Sequence, residues 1–525
     1  MTNPIHLPSK QMIGAEAVIR TLLAGGVDTC FTNPGASEIH LVAELDRTPD
    51  VRCVLGLFEG VVTGAADGYA RMAEKPALTM LHLGPGLANG LANLHNAHRA
   101  QVPMINIVGD HATHHLRHDT PLTSDIEAIA RPYSRWLRSS SSASEVGYDV
   151  AEAITASRTS PGGVATLIIP ADVSWAKGGV VPRIPMAPRA PVPAIETVEH
   201  AATMLRSGLR TAIVLTGNAL YGKGLIEAGR IARATGAKLF SPYPFTRLER
   251  GAGIPVVERI FYVLEQAKQQ LEEFRQFILV GAPAPMAYFA YEGQNSTLTS
   301  PECELYTLAR NGEDCIGALK ALAAALSLGQ QVSSAEKNER SVLCTGELTL
   351  SGIAAVIGAL LPENAIVVDE SMTSGRDIMP ATKTAPRHEW LGNTGGAIGI
   401  AMPLALGAAV ACPDCKVLCL TADGSGMYTI QALWSMAREG VNVTIVVFNN
   451  RKYAVLKREF MNLGLGNPGQ RALDMFELNR PELDWLHLAK GMGVPAIRVT
   501  SMDVFAKALR QGFESDGPSL IEVPL

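Results

Sequence analysis

The stretch from Thr421 to Asn450, TADGSGMYTIQALWSMAREGVNVTIVVFNN, constrains the fold more than any other part of the chain. The apolar run Val417 to Thr421 reads as a buried parallel strand, Asp423, Gly424 and Ser425 as the turn after it, and the following residues as an amphipathic helix stopped by Gly440. A second β-rich run, Val443 to Phe448, carries Asn449 and Asn450 at its carboxyl end. In a right-handed βαβ unit those two strand ends lie side by side, so Asp423 and Asn450 can meet. Both offer oxygen, the donor that Mg²⁺ or Ca²⁺ prefers, and a Mg²⁺ held by few protein groups also takes phosphates. The pattern predicts a diphosphate site, against the simpler reading of Asp423 as a helix N-cap.

Length and charge narrow the class. At about 150 residues per domain, 525 residues predict three or four domains. Acidic residues outnumber basic ones 50 to 45 and no long basic run occurs, so neither nucleic acid nor an anionic membrane is an expected partner. The apolar runs are of strand length and broken by Gly and Pro, too short to span a bilayer. The beginning, MTNPIHLPSKQMIG, has no apolar signal core, and a cytoplasmic enzyme is expected. Cys30, Cys53, Cys344 and Cys419 sit in apolar runs, which suits reduced core thiols. Cys412 and Cys415 form a lone CxxC and read as a loop rather than a zinc or redox site.

Ala176 to Ala194 carries five prolines and no periodicity and marks one linker; the polar stretch Gln330 to Arg340 marks a second. The predicted domains are 1–180, 190–335 and 345–525. Ala77 to Asp110 reads as strand, Gly84-Pro85-Gly86, helix, strand, echoing Val417 to Asn450. Between them, strands at Ala212 to Leu215 and Phe277 to Val280 alternate with helices at Leu225 to Thr235 and Val256 to Phe274. The expected fold is α/β: three doubly wound parallel-sheet domains, the first and third related. No GxGxxG opens a helix, which weakens the rival reading of an NAD-dependent dehydrogenase.

Asp423-Gly424-Ser425 followed by Asn449-Asn450 resembles the signature of thiamine diphosphate (ThDP) enzymes in the 2-oxo acid decarboxylase and acetolactate synthase superfamily. One position departs: Ala422 stands where the family has glycine, and a methyl group fits there if φ stays negative. The resemblance spans nearly the whole chain and points to two branches, benzoylformate decarboxylase and acetolactate synthase large-subunit-like proteins. It implies a pyrimidine-binding first domain, a central domain and a diphosphate-binding third domain. Asp423, Asn450 and the Lys452 carbonyl would hold Mg²⁺, and Gly424 and Ser425 would line the diphosphate.

The other candidates follow from motif order. Glu59, in GLFEGVV, stands among apolar residues and should be desolvated; the family's essential glutamate, which hydrogen-bonds the pyrimidine N1′, falls there. By itself it reads as a first-turn Glu on a helix. In GNTGGAIGIAMP the resemblance puts Ile398 under the bent cofactor and makes the Gly396 carbonyl an acceptor for the 4′-nitrogen. His82 ends the strand ALTMLH, where benzoylformate decarboxylase has a proton-relay histidine, and Asn89 would be an amide on the same loop. That enzyme's second histidine has no counterpart, since Tyr288 or Phe289 falls there. His111, His114, His115 and His118 miss the register of the paired histidines of pyruvate decarboxylase and read as a polar loop rather than a zinc site. Val455 and Glu459, inward on the helix begun by RKYAVLKREF, are candidate substrate contacts.

The expected activity is ThDP- and Mg²⁺-dependent decarboxylation of a small 2-oxo acid. The remaining fragment is expected to be joined to a second carbonyl, as in acetolactate synthase; the alternative is protonation to an aldehyde, as in benzoylformate decarboxylase. A non-catalytic ThDP-binding paralogue is a further alternative. FAD stays open: some relatives bind it, and no fingerprint in this sequence signals it. The resemblance also implies a homodimer or homotetramer with active sites shared between subunits.

Overall fold

The computed structural model describes residues 11–329 and 340–525, so most of the expected second linker lies outside the described residues. The chain forms two compact units, one up to Pro188 and one from Arg189 onward. The boundary falls inside the proline-rich stretch.

The first unit is built on six strands: β1 (Thr29–Thr32), β2 (Arg52–Leu55), β3 (Ala77–Leu81), β4 (Met104–Asp110), β5 (Trp136–Ser139) and β6 (Val164–Pro170). They pair in the order β2-β1-β3-β4-β6-β5, every pair parallel. β3 and β6 are buried along their whole length and β4 up to Gly109, as expected where helices cover both faces of a parallel sheet. The chain steps outward from β1 to β2 and returns to β3 on the other side of β1. The carboxyl ends of β1 and β3 therefore flank the point where strand order reverses, the usual place for a ligand in an open α/β sheet.

The second unit holds two sheets. Its strands begin with β7 (Thr211–Leu215), β8 (Lys238–Ser241), β9 (Arg247–Arg250), β10 (Glu258–Arg259), β11 (Gln276–Val280) and β12 (Glu304–Ala309). They continue with β13 (Ala365–Glu370), β14 (His388–Gly392), β15 (Val417–Ala422), β16 (Val443–Asn449), β17 (Ala496–Arg498) and β18 (Ser519–Pro524). One sheet runs β10-β8-β7-β11-β12 and is parallel throughout. The other runs β17-β18-β16-β15-β13-β14-β9 and is parallel except where β9 pairs antiparallel with β14. Thus β9 leaves the middle segment to edge the third sheet, and a single apolar cluster joins Ile213 and Leu215 to Leu248, Trp390, Val367 and Leu418. Three mainly parallel α/β sheets are present, as expected, with the second and third sharing one core.

Three local expectations are corrected. The helix expected over Val256 to Phe274 covers only Leu264–Leu271, and Glu258–Arg259 is a strand instead. Pro255 and the β-branched and aromatic run Ile260-Phe261-Tyr262-Val263 favour extended backbone there. The helix after Asp423 is broken into Asp423–Gly426 and Ala432–Glu439, because the Thr429 hydroxyl donates to the Gly399 carbonyl (2.6 Å) and ties the intervening turn to a neighbouring loop. Gly84, Pro85 and Gly86 are not a loop before a helix but its first turn, since the helix runs Leu83–Ala100. Among the described residues no helix is long and apolar enough to cross a membrane.

Candidate active site

In the first unit, Glu59 opens the helix Glu59–Ala73 and is 8% exposed. Asn89 donates from Nδ2 to its Oε2 at 3.0 Å. Asn89 is thus a helical residue, not a loop amide, and its partner is Glu59. Two further bonds lock the helices together. The Thr63 hydroxyl donates to the Gly90 carbonyl (3.0 Å) and Asn93 Nδ2 to the Gly60 carbonyl (2.7 Å). Both are buried, so the Glu59 carboxyl is held on a rigid pair.

His82 occupies the N-cap position of Leu83–Ala100. Leu83, buried, has φ +49, a left-handed backbone that costs a non-glycine residue about 1 kcal/mol or more and turns the chain sharply after β3. His82 Nδ1 lies 2.8 Å from Glu38 Oε2 and 3.1 Å from Ser37 Oγ. Glu38, fully buried, also accepts from the Gly35 amide (2.9 Å) and from the Ser37 hydroxyl (2.5 Å). With the Ser37 proton given to Glu38, the network makes Nδ1–H of His82 the donor to Glu38 and leaves Nε2 as the working nitrogen. A Cβ at position 109 would overlap Glu38 Oε1, so Gly109 is the space that lets the acid reach the histidine.

Glu38 escaped the sequence reading. Its signal was an acid in the turn after β1, next to β3 across the switch point. A cavity of about 330 Å³ opens at His82, lined also by Ser37, His111, His114, His115 and Trp175. Three of the four histidines read as a polar loop, His111, His114 and His115, therefore face the same space as the candidate relay. His111 and His115 have ring centroids 5.4 Å apart, and His111 Nε2 lies 3.2 Å from Thr120 Oγ1. Among the described residues no group of three His, Cys, Asp or Glu side chains is disposed to hold a metal.

In the second unit, β15 and β16 are paired in parallel up to Ala422 and Phe448, so their carboxyl ends are neighbours. Asp423, 1% exposed, begins the short helix and accepts the Arg451 amide on Oδ2 at 2.7 Å. Burial pushes its carboxyl above the usual range, opposed by the amides of Gly424 and Arg451. Its other oxygen, Oδ1, is buried and has no hydrogen-bond partner. Asn450 accepts the Lys452 amide on Oδ1 (3.0 Å), and Arg451 between them has φ +57. An orphaned carboxylate oxygen in a dry site is costly unless a cation or donor completes it. Oxygen donors alone at a helix start after a parallel strand fit Mg²⁺ and a diphosphate. Gly424 and Ser425 are buried in the same turn.

Gly396 has φ +82, and a Cβ there would lie 2.5 Å from the Tyr288 hydroxyl oxygen. Ile398, half-buried, follows two residues on. This loop is organised by a residue the sequence reading missed. Glu370, at the end of β13, accepts from the amides of Gly399 (3.0 Å) and Ala401 (3.2 Å) and from Asn393 Nδ2 (3.2 Å). Burial pushes its carboxyl up to about 7 despite these donors. Val455 and Glu459 lie on the helix Ala454–Asn462, both half-buried, and Glu459 accepts the Tyr291 hydroxyl on Oε2 at 2.8 Å.

Family models match at both ends of this arrangement. The thiamine pyrophosphate enzyme N-terminal TPP binding domain covers residues 12–129, including Glu59, His82 and Asn89. The C-terminal TPP binding domain covers 375–523, including Gly396, Asp423 and Asn450. The chain belongs to the thiamine pyrophosphate (ThDP) enzyme family. It is 52% identical to a Mycobacterium tuberculosis protein named for the acetolactate synthase large subunit, IlvX, over 98% of this chain and 99% of that one. It is 28% identical to benzoylformate decarboxylase of Pseudomonas aeruginosa over 95% and 96%. The Rhodococcus jostii ThDP-dependent 4-hydroxybenzoylformate decarboxylase superposes with a TM-score of 0.86 at 23% identity, covering 98% and 99% of the two chains.

Proposed function

We propose that the protein removes CO₂ from a small 2-oxo acid with ThDP and Mg²⁺, and that His82 protonates what remains to give an aldehyde. Asp423 and Asn450, with the Lys452 carbonyl, hold the cation and through it the diphosphate. Glu59 keeps Oε2 on Asn89, which leaves Oε1 to hydrogen-bond the aminopyrimidine N1′ in a desolvated setting. Bound there, ThDP supplies a nucleophilic carbon and an electron sink for the carboxylate's departure. The residues do the rest: Ile398 and Gly396 orient the cofactor, and His82 Nε2 carries the proton, its ring held in one tautomer by Glu38.

The observation that carries the reading is His82 on the wall of the cavity, held from behind by the buried Glu38. A second reading, carboligation to a second carbonyl, draws support from the Mycobacterium tuberculosis relative's name. The deciding experiment incubates the protein with ThDP, Mg²⁺ and a panel of 2-oxo acids while CO₂, aldehydes and condensation products are all assayed. Aldehyde as the main product, lost in His82→Ala, supports the first reading. Condensed product undiminished in that variant overturns it.

A further inference from the structure

Two cysteines stand side by side in the first unit, on the strands that lead to its functional acids. Cys30 of β1 and Cys53 of β2 are register partners in the parallel ladder, so their side chains leave the sheet on the same face. Neighbouring strands lie about 4.8 Å apart, and a disulfide accepts Cα separations of about 4.4–6.8 Å. The pair is therefore within bridging range. β2 is the edge strand of its sheet, so no strand on its far side resists the small inward shift that a bond would require.

The two thiols have opposite surroundings. Cys30 is fully buried in the apolar cluster that holds Leu41, Leu45 and Val51. Cys53, expected from the sequence to be a core thiol, is exposed. They are hydrogen-bond partners: that bond, together with burial, pushes the Cys30 thiol well up, and it holds the Cys53 thiol below its usual range against partial burial. Cys30 is thus the protonated donor and Cys53 the accepting sulfur. Their other polar contacts are long, Cys53 Sγ lying 3.7 Å from the Val51 carbonyl oxygen and Cys30 Sγ 4.0 Å from that of Phe31. Burial pushes the thiols of Cys315, Cys412, Cys415 and Cys419 up instead. An accessible thiolate reacts readily with oxidants, and a second thiol beside it captures the product as a disulfide.

We infer that Cys53 is a peroxide-sensitive modification site, that Cys30 is its resolving thiol, and that the disulfide they form is a reversible brake on turnover. The Cys53 thiolate attacks one oxygen of hydrogen peroxide; the O–O bond breaks and hydroxide leaves. Cys53 is oxidised by two electrons to a sulfenic acid, and the peroxide is reduced. The Cys30 sulfur then attacks the Cys53 sulfur, the S–O bond breaks, and the departing hydroxide takes the Cys30 proton and leaves as water. A dithiol reductant returns both thiols. The brake follows from where the two strands lead: β1 runs on to Glu38, and β2 to Glu59 at the start of the helix Glu59–Ala73. Drawing β2 towards β1 moves that helix start, and a reacting group displaced by a fraction of an ångström loses its alignment. The brake rests on the decarboxylase reading above; the formation of the bond does not.

The test treats the reduced full chain with a small molar excess of hydrogen peroxide, alkylates the remaining thiols and maps the peptides by mass spectrometry. A Cys30–Cys53 linked peptide is expected before any other cysteine is modified, and dithiothreitol should remove it. In Cys30→Ala the reaction should stop at a sulfenic acid on Cys53, trapped by dimedone. Cys53→Ser changes an exposed position, so it reports even if the buried substitution impairs folding, and it should yield neither product. With ThDP and Mg²⁺ present, release of CO₂ from the preferred 2-oxo acid is expected to slow at least about fivefold on oxidation, to recover on reduction, and to be insensitive to the same treatment in Cys53→Ser. Oxidation that begins at another cysteine, or the absence of the linked peptide, overturns the site. A linked peptide with unchanged turnover overturns the brake. If the reduced protein releases CO₂ from no 2-oxo acid, the decarboxylase reading falls, and peptide mapping still decides the site.

Discussion

The ends of β3 and β15 solve the same geometrical problem with opposite chemistry. Each is a buried parallel strand that turns into a helix at the carboxyl edge of its sheet. At β3 the functional side chain is completed from within: His82 is bonded to Glu38, which is itself saturated by Gly35 and Ser37. At β15 it is left incomplete, for one oxygen of Asp423 has nothing to bond. A group that must carry a proton is better held in one tautomer before substrate arrives, whereas a group that must hold a cation needs a free oxygen. In this pair of strand ends the open oxygen suits the one that binds, and the saturated network suits the one positioned to act.

Four experiments strain that contrast. Asp423→Asn deletes the charge at the incomplete end, and uptake of ThDP with Mg²⁺, measured by calorimetry, is expected to weaken on the order of 1,000-fold, about 4 kcal/mol. The folded chain is expected to tolerate it, because Asn keeps an oxygen for the Arg451 amide and removes a charge that burial disfavours. Unchanged uptake would mean that Asp423 is only a helix cap.

Glu370 provides a pH test beside the same cofactor loop. Its folded pKa of about 7 lies above its ordinary 4.5, so the folded state keeps a proton that the unfolded chain releases between those values. Its contribution to stability is complete below about pH 4.5 and is lost as pH rises through 7, an effect of about 3 kcal/mol. In Glu370→Gln that slope should vanish from urea unfolding measured at pH 5 and pH 8. Parallel pH profiles for the variant and the wild-type chain would refute it.

At the saturated end, Gly109→Ala pushes a methyl group onto Glu38 Oε1 and is expected to cost about 2 kcal/mol of stability. It should also depress aldehyde formation more than ThDP uptake; equal losses in both would show that Glu38 does not act through His82. The smallest effect is expected from Leu83→Gly. Relief of the left-handed backbone and loss of a buried side chain oppose each other, and thermal unfolding should move by about 1 kcal/mol equivalent or less.

Much of this was legible because parallel strands announce themselves as unbroken apolar runs. The runs at Val417 and Val443, and the acid and amide that follow them, point to the ladder between β15 and β16 that the structure contains. The same logic failed for Val256 to Phe274, where periodicity competed with β-branched and aromatic content and the latter won. Residues that act through others were the least visible. Glu38 closes a short helical turn after β1 and Glu370 ends β13, and only the pairing of strands distant in sequence shows that one meets His82 and the other gathers the amides of Gly399 and Ala401.

The excursion of β9 has a practical bearing on how this molecule can be taken apart. Because Arg247–Arg250 closes the edge of the third sheet and Leu248 lies in the common apolar interior, scissors placed between the middle and last thirds yield two damaged pieces. One would present a naked strand without its ladder, and the other an unguarded border inviting intermolecular pairing. Swapping the central region for that of a relative must therefore carry this short ribbon along with the surface it covers.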